Sequence, residues 1–151
     1  MQTRERITSC ELFAGLADDV LDQLGSLAVP TVFDDGVTVF SEGEERERFF
    51  VVDEGHLAVS VGQGVGSGLR ILLGPGEAIG EAALIDPSRH TATVAARGRT
   101  ELLRFDAAAV VETLSRDPSS LHQLLANVTR VIVRRMQYAA YRRMGWEQIY
   151  R

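Results

Sequence analysis

Residues 80–94, Gly-Glu-Ala-Ala-Leu-Ile-Asp-Pro-Ser-Arg-His-Thr-Ala-Thr-Val, hold the groups of this chain best suited to chemistry. Good helix formers follow Gly80 and stop at Asp86-Pro87, which predicts a short helix. The free amides and positive dipole end at the start of such a helix make an anion site. Glu81 lies in its first turn, where a carboxylate can accept from a sugar hydroxyl. The cationic pair Arg89-His90 follows, and then the Thr91 hydroxyl at the start of a strand. A dipole end, a cation, a hydroxyl and a carboxylate within so short a stretch suit a sugar phosphate.

Other chemistries find less support. Cys10 is the only cysteine, so no internal disulfide and no CxxC site exists, and an inert packing role is the simpler reading. His56, His90 and His122 are far apart in sequence and form no metal-type spacing; His56 and His122 read as surface residues. The 62–68 stretch, Gly-Gln-Gly-Val-Gly-Ser-Gly, does not fit GxGxxG and is followed by a strand, so it reads as a flexible hairpin loop. No nucleophile elbow, no Cys–His context and no His-x-His pair occurs. The expectation is a protein with no catalytic residues, no metal and no cofactor.

The surrounding elements must position that stretch. The 151 residues suit one domain, and 45% apolar with 25% charged composition is ordinary for a globular protein. Leu12, Phe13, Leu16, Val20, Leu21, Leu24 and Leu27 follow helical spacing, with a break expected near Gly15. From about residue 29 to 106 short β-prone runs alternate with glycine-bearing turns, among them Asp53-Glu54-Gly55, which implies a sandwich or barrel. Asp106 is placed to cap a helix, and Asp117-Pro118-Ser119-Ser120 to start another. That last helix carries a heptad-like seam of Leu121, Leu124, Leu125, Val128, Val131, Ile132, Arg135 and Met136. The seam packs either on its own barrel or on a second copy. The division is a helical segment 1–28, a barrel 29–106, helices 107–143 and a tail 144–151.

Net charge is −5 and there is no lysine, so any cation must be arginine or histidine. Arginines crowd the C-terminal part, at 130, 134, 135, 142, 143 and 151, which reads first as a solvated helix face. No apolar run approaches the roughly 18 residues of a membrane helix, and no signal-type core follows the polar start. A cytoplasmic location is expected.

The 80–94 stretch resembles the phosphate-binding cassette of the cyclic nucleotide-binding domain family, roughly Gly-Glu-x-Ala-Leu, a gap, then Arg-(Ser/Thr/Ala)-Ala-Thr-Val. Leu12-Phe13-Ala14-Gly15-Leu16, the 36–43 and 49–55 strand-turn segments and the 74–81 approach are similar to that family as well. The resemblance implies a mainly β fold: a jelly-roll β-barrel (double-stranded β-helix) with N-terminal helices and a long C-terminal helix. It implies ligand-binding positions at Gly80, Glu81, Ala82, Ala83, Arg89, His90, Thr91 and Ala92, with Glu81 on the ribose 2′-hydroxyl. The implied ligand is cAMP or cGMP, with the last helix closing as a lid and signalling through its movement. Tyr138 or Tyr141 is a candidate to stack on the base, with structural packing the simpler role.

Two departures stand out. Counted from Glu81, the family arginine falls on His90 and not on Arg89. Neighbouring strand residues face opposite ways, so Arg89 serves only if the loop re-registers; otherwise the phosphate meets a shorter, partly charged donor. Glu44-Glu45-Arg46-Glu47-Arg48 also replaces the usual small residue and aspartate, and reads as a changed surface loop. The alternative function is a degenerate module of the same fold that dimerises without nucleotide. Expected partners are the nucleotide, a second copy through the last helix and a fused or separate effector. Residues 137–151 are too short for a helix-turn-helix, so direct DNA binding by this chain is not expected.

Overall fold

The computed structural model describes residues 3–61 and 69–143. Residues 1–2, the glycine-rich stretch 62–68 and the tail 144–151 lie outside the described residues, as do the side chains of Thr3, Leu69, Arg70, Tyr141, Arg142 and Arg143. Helix α1 spans Thr3–Thr8, a 3-10 turn spans Glu11–Phe13, and α2 spans Asp18–Leu27. Six strands follow: β1 Val29–Phe33, β2 Thr38–Phe40, β3 Arg48–Val61, β4 Leu69–Leu73, β5 Ala78–Ile79 and β6 Thr93–Asp106. A second 3-10 turn, Glu81–Leu84, separates β5 from β6, and α3 Ala107–Leu114 and α4 Pro118–Arg143 end the described residues.

All strand pairs are antiparallel, in the order β1-β6-β3-β4, with β2 also on β6 and β5 on β3. The long strands β3 and β6 form the spine. Their side chains alternate between two apolar clusters, as the two-residue strand period requires. Phe49, Val51, Leu103 and Phe105 face the helices, together with Phe13, Leu24, Val110, Leu124 and Val128. Phe50, Val52 and Leu102 face the opposite way, with Phe40, Leu57, Val59 and Val94.

One expected turn is absent as a turn: Asp53-Glu54-Gly55 lies inside β3, and β6 likewise runs unbroken through residues 96–101. The register shifts on either side of Glu54 mark a bulge, and Gly55 (φ +90°) and Gly98 (φ +74°) absorb the irregularity. A Cβ on Gly55 would lie 2.7 Å from the Arg99 carbonyl oxygen, so the bulge also brings two backbones too close for any side chain.

The helical expectations hold with adjustments. Gly15 (φ +79°) ends the first 3-10 turn and α2 starts afresh with Asp18 and Asp19 in its first turn. Asp106 caps α3, its Oδ1 accepting from the Ala109 amide at 3.0 Å. At the start of α4, Pro118 follows Asp117, whose carboxylate accepts from Ser120 Oγ at 2.7 Å. The polar opening forms α1, which is held by the fully buried Ile7 and by Arg6, whose Nε lies 2.8 Å from Asp53 Oδ2. On α4, Leu124, Val128 and Val131 are buried in the chain's own core, with Leu121 and Ile132 packed beside them. Most of the seam is therefore used at home, and Val133 and Met136 remain exposed. Cys10 is buried, and desolvation pushes its thiol up to about 12, so it is unreactive at neutral pH. His56 and His122 are exposed. No described helix is long and apolar enough to cross a membrane.

Candidate functional site

A cavity of about 290 Å³ opens between β5, the second 3-10 turn, the strand faces of β3 and β4, and α4. That is close to the lower end of the roughly 300–1,000 Å³ usual for small-molecule sites. Its wall is largely apolar at one end, with Val59, Val61 and Ile71 from the sheet and Ile132, Met136 and Ala139 from α4. At the other end are Gly80, Glu81, Ala82, Arg46, His90, Thr91, Ala92 and Arg135.

Gly80 begins this polar end. Its backbone is left-handed (φ +79°), and a Cβ there would lie 3.0 Å from the Arg48 carbonyl oxygen and 3.4 Å from His90 Cε1. Only glycine allows both the turn out of β5 and this close approach. The helix expected after Gly80 is a single 3-10 turn, Glu81–Leu84, with Ala83 N–H donating to the Gly80 carbonyl at 3.1 Å. One turn carries little dipole, so the cavity's electrostatics rest on side chains.

Glu81 is buried, and a buried carboxylate needs a partner. Arg135 of α4 supplies it, with Nη1 2.6 Å from Glu81 Oε1. The Arg135 Nη2 donates to the Ala78 carbonyl and approaches Glu11 Oε1 at 3.3 Å. Next along α4, Arg134 pairs with Glu11. Asn127, also buried, donates from Nδ2 to the Leu12 and Ala14 carbonyls at 2.9 and 2.8 Å. The long helix is thus fastened at one level to the N-terminal turn and at another to the cavity glutamate.

Six of the eight sequence-predicted positions come together on the cavity wall: Gly80, Glu81, Ala82, His90, Thr91 and Ala92. Ala83 turns into the helical core cluster instead. Arg89 is exposed and faces away, its Nη1 donating to the Gly43 carbonyl at 2.7 Å. No re-registration brings it inward, because the 86–90 segment is zipped to the loop before β3. The Arg46 amide donates to the Ser88 carbonyl at 2.9 Å, the His90 amide to the Glu44 carbonyl at 2.8 Å, and Glu45 bridges Arg89. In such a ladder Glu45 and Arg89 share one face, while Arg46 and His90 take the other.

His90 is buried, with its ring stacked on Phe40 at a centroid distance of 3.6 Å and 13° between planes. Burial first, and then the positive charge of Arg46, push its pKa below the ordinary imidazole value, against an opposing pull from Glu44. The imidazole is therefore held toward its neutral form, able to offer one ring N–H.

Sequence reasoning missed both arginines of the wall, Arg46 and Arg135. Arg135 had a signal: a charge at a seam position of an apolar helix face calls for a buried partner. Arg46 had none locally, since only the ladder to residues 86–90 carries it inward. Tyr138 is half-buried on α4 and is not among the lining residues. Among the described residues no group of three or more histidine, cysteine or acidic side chains is arranged to hold a metal.

Comparison with known proteins agrees with this geometry. Residues 30–117 match the family described as the cyclic nucleotide-binding domain. The chain is 26% identical over 136 residues to the CRP-like cAMP-activated global transcriptional regulator of Mycobacterium tuberculosis, covering 88% of this chain and 58% of that protein. It spans, then, somewhat more than half the length of that relative. The N-terminal domain of a transcriptional regulator from Streptomyces coelicolor A3(2) superimposes with a TM-score of 0.73 at 30% identity, covering 83% of this chain and 91% of that one. Thermus thermophilus catabolite activator protein gives a TM-score of 0.73 at 26% identity, over 87% of this chain and 61% of that one. The sheet with its flanking helices is the jelly-roll architecture of these domains. These named relatives are regulators. The match over 30–117 spans more than half of the 151 residues, and the chain belongs to the cyclic nucleotide-binding domain family.

Proposed function

We propose that this domain binds a cyclic nucleotide in the cavity walled by Gly80, Glu81, His90 and α4, and that binding is coupled to the position of α4. In this reading Ala82, Thr91 and Ala92 line the ribose-phosphate, and Val59, Ile71 and Ile132 offer the purine an apolar surface. The M. tuberculosis relative is described as cAMP-activated, which makes cAMP the first ligand to test and cGMP the second.

The observation that carries the reading is the Glu81–Arg135 pair. A ribose hydroxyl donating to Glu81 competes with Arg135, and Arg135 belongs to the helix that would close over the base. A ligand shifts α4 only by favouring one of its arrangements, and a shared carboxylate provides that difference. Transmission to an effector, and pairing of two copies along the outer face of α4 where Val133 stays exposed, belong to the same reading. Sedimentation with and without nucleotide tests the pairing.

Calorimetry with cAMP and cGMP on wild type and Glu81→Ala tests the binding. Loss of a charged hydrogen bond predicts affinity weaker by about 10- to 150-fold in the variant. Equal weak signals from both proteins would remove the claim, and a dimer indifferent to nucleotide would favour a purely structural module.

A further inference from the structure

Two arginines line the cavity, and they differ in how their charge is met. Arg135 is neutralised by Glu81 and Glu11. Arg46 is met more weakly: it is only 8% exposed, its Nε and Nη2 donate to the Asp86 backbone carbonyl at 3.1 and 2.6 Å, and its ion pair is long. The nearest carboxylate oxygen, Asp86 Oδ2, lies 3.7 Å away on a side chain 73% exposed. Among the described residues no hydrogen bond is seen between the Arg46 guanidinium and a side chain. A guanidinium stays charged in a protein, and burying it without a close counter-charge is costly. This end of the cavity therefore favours an anion.

The ladder explains why the charge is here. The family places an arginine where this chain has His90, and Arg89 is committed to the outer face. Residue 46 lies across the ladder on the same inward face as His90, two pairs along. The two departures seen in the sequence, a histidine in the cassette and an arginine in the loop before β3, are thus complementary.

We propose that Arg46 provides the cation for the phosphodiester of the ligand, with the His90 imidazole beside it as a second donor. The identity of the ligand rests on the reading above; the anion site rests on Arg46 itself. The site accepts a compact singly charged phosphodiester or free phosphate between Arg46, His90 and Gly80.

The test uses wild type, Arg46→Gln, Arg46→Lys and Arg89→Gln, each checked for an unchanged fold by thermal unfolding. cAMP and cGMP are titrated by calorimetry. Inorganic phosphate is titrated while the Gly80 amide and His90 imidazole resonances are followed by NMR. The expected result is that Arg46→Gln weakens the nucleotide by about 10- to 150-fold and abolishes the phosphate response. Arg46→Lys keeps most of both, and Arg89→Gln stays within about twofold of wild type. Nucleotide binding equal in wild type and Arg46→Gln, or lost in Arg89→Gln alone, overturns the Arg46 assignment and leaves the nucleotide reading standing. A phosphate response that depends on Arg46, with no heat from either nucleotide, supports the anion site and overturns the nucleotide reading. If Arg46→Gln does not fold, Arg46→Lys decides: loss of the phosphate response in that folded, still cationic protein overturns the assignment.

Discussion

His90 shows how one substitution redistributes roles within a site. Its imidazole stacks on Phe40, sits beside Arg46 and faces the carboxylate of Glu44 across the ladder. Because burial and Arg46 disfavour the charged form, the folded pKa lies below the ordinary value of 6.5. Below about 6.5 the unfolded chain takes up a proton that the folded chain resists, so this group destabilises the fold as pH falls through that window and contributes nothing above it. Denaturant unfolding between pH 7.5 and 5.5 checks this. Wild type should lose stability toward the acidic end, and His90→Gln should lose measurably less; parallel curves would mean that the imidazole titrates normally. At this scale the sequence was informative about which residues bear chemistry and silent about which way they face. Glu81, His90 and Thr91 were legible because their types and spacing sit in one contiguous stretch. Arg46 was not, because its inward direction depends on a pairing with residues some forty positions away.

At the scale of elements, the helices were read well because capping and apolar periodicity are local signals, as at Asp106 and along Leu124, Val128 and Val131. The strands were read in pieces. Asp53-Glu54-Gly55 signals a turn from sequence alone, whereas here Gly55 and Gly98 are irregularities inside two continuous fourteen-residue strands. The two glycines make a paired prediction. Gly98→Ala meets nothing within 4 Å and should cost the left-handed backbone penalty alone, about 1–2 kcal/mol. Gly55→Ala meets that penalty and a backbone oxygen at 2.7 Å, so it should cost clearly more. Urea midpoints at constant m-value measure both. Equal losses would mean that the β3–β6 spine yields at Gly55 without resistance.

For the whole molecule, the topology sets a cavity between the barrel and the one helix that crosses it. Two polar anchors on α4 define the relation: buried Asn127 to the N-terminal turn, and half-buried Arg135 to the cavity glutamate. On the proposed reading the first is independent of a ligand in the cavity and the second would share its partner with one, so that binding would trade a contact of the helix for a contact of the nucleotide while the Asn127 anchor holds the N-terminal half of α4. The architecture itself was legible in advance, since many short strands followed by a long amphipathic helix admit few arrangements. The Glu81–Arg135 contact was not, because it joins residues 54 positions apart.

The most direct measurement is a crystal structure of the chain grown with cAMP. The account predicts density for the sugar phosphate against Gly80, His90 and Arg46, the ribose hydroxyl on Glu81, and Arg135 displaced from that carboxylate. Nucleotide bound at another surface, or a cavity in which Arg135 still holds Glu81 with the nucleotide absent at saturating concentration, would contradict it.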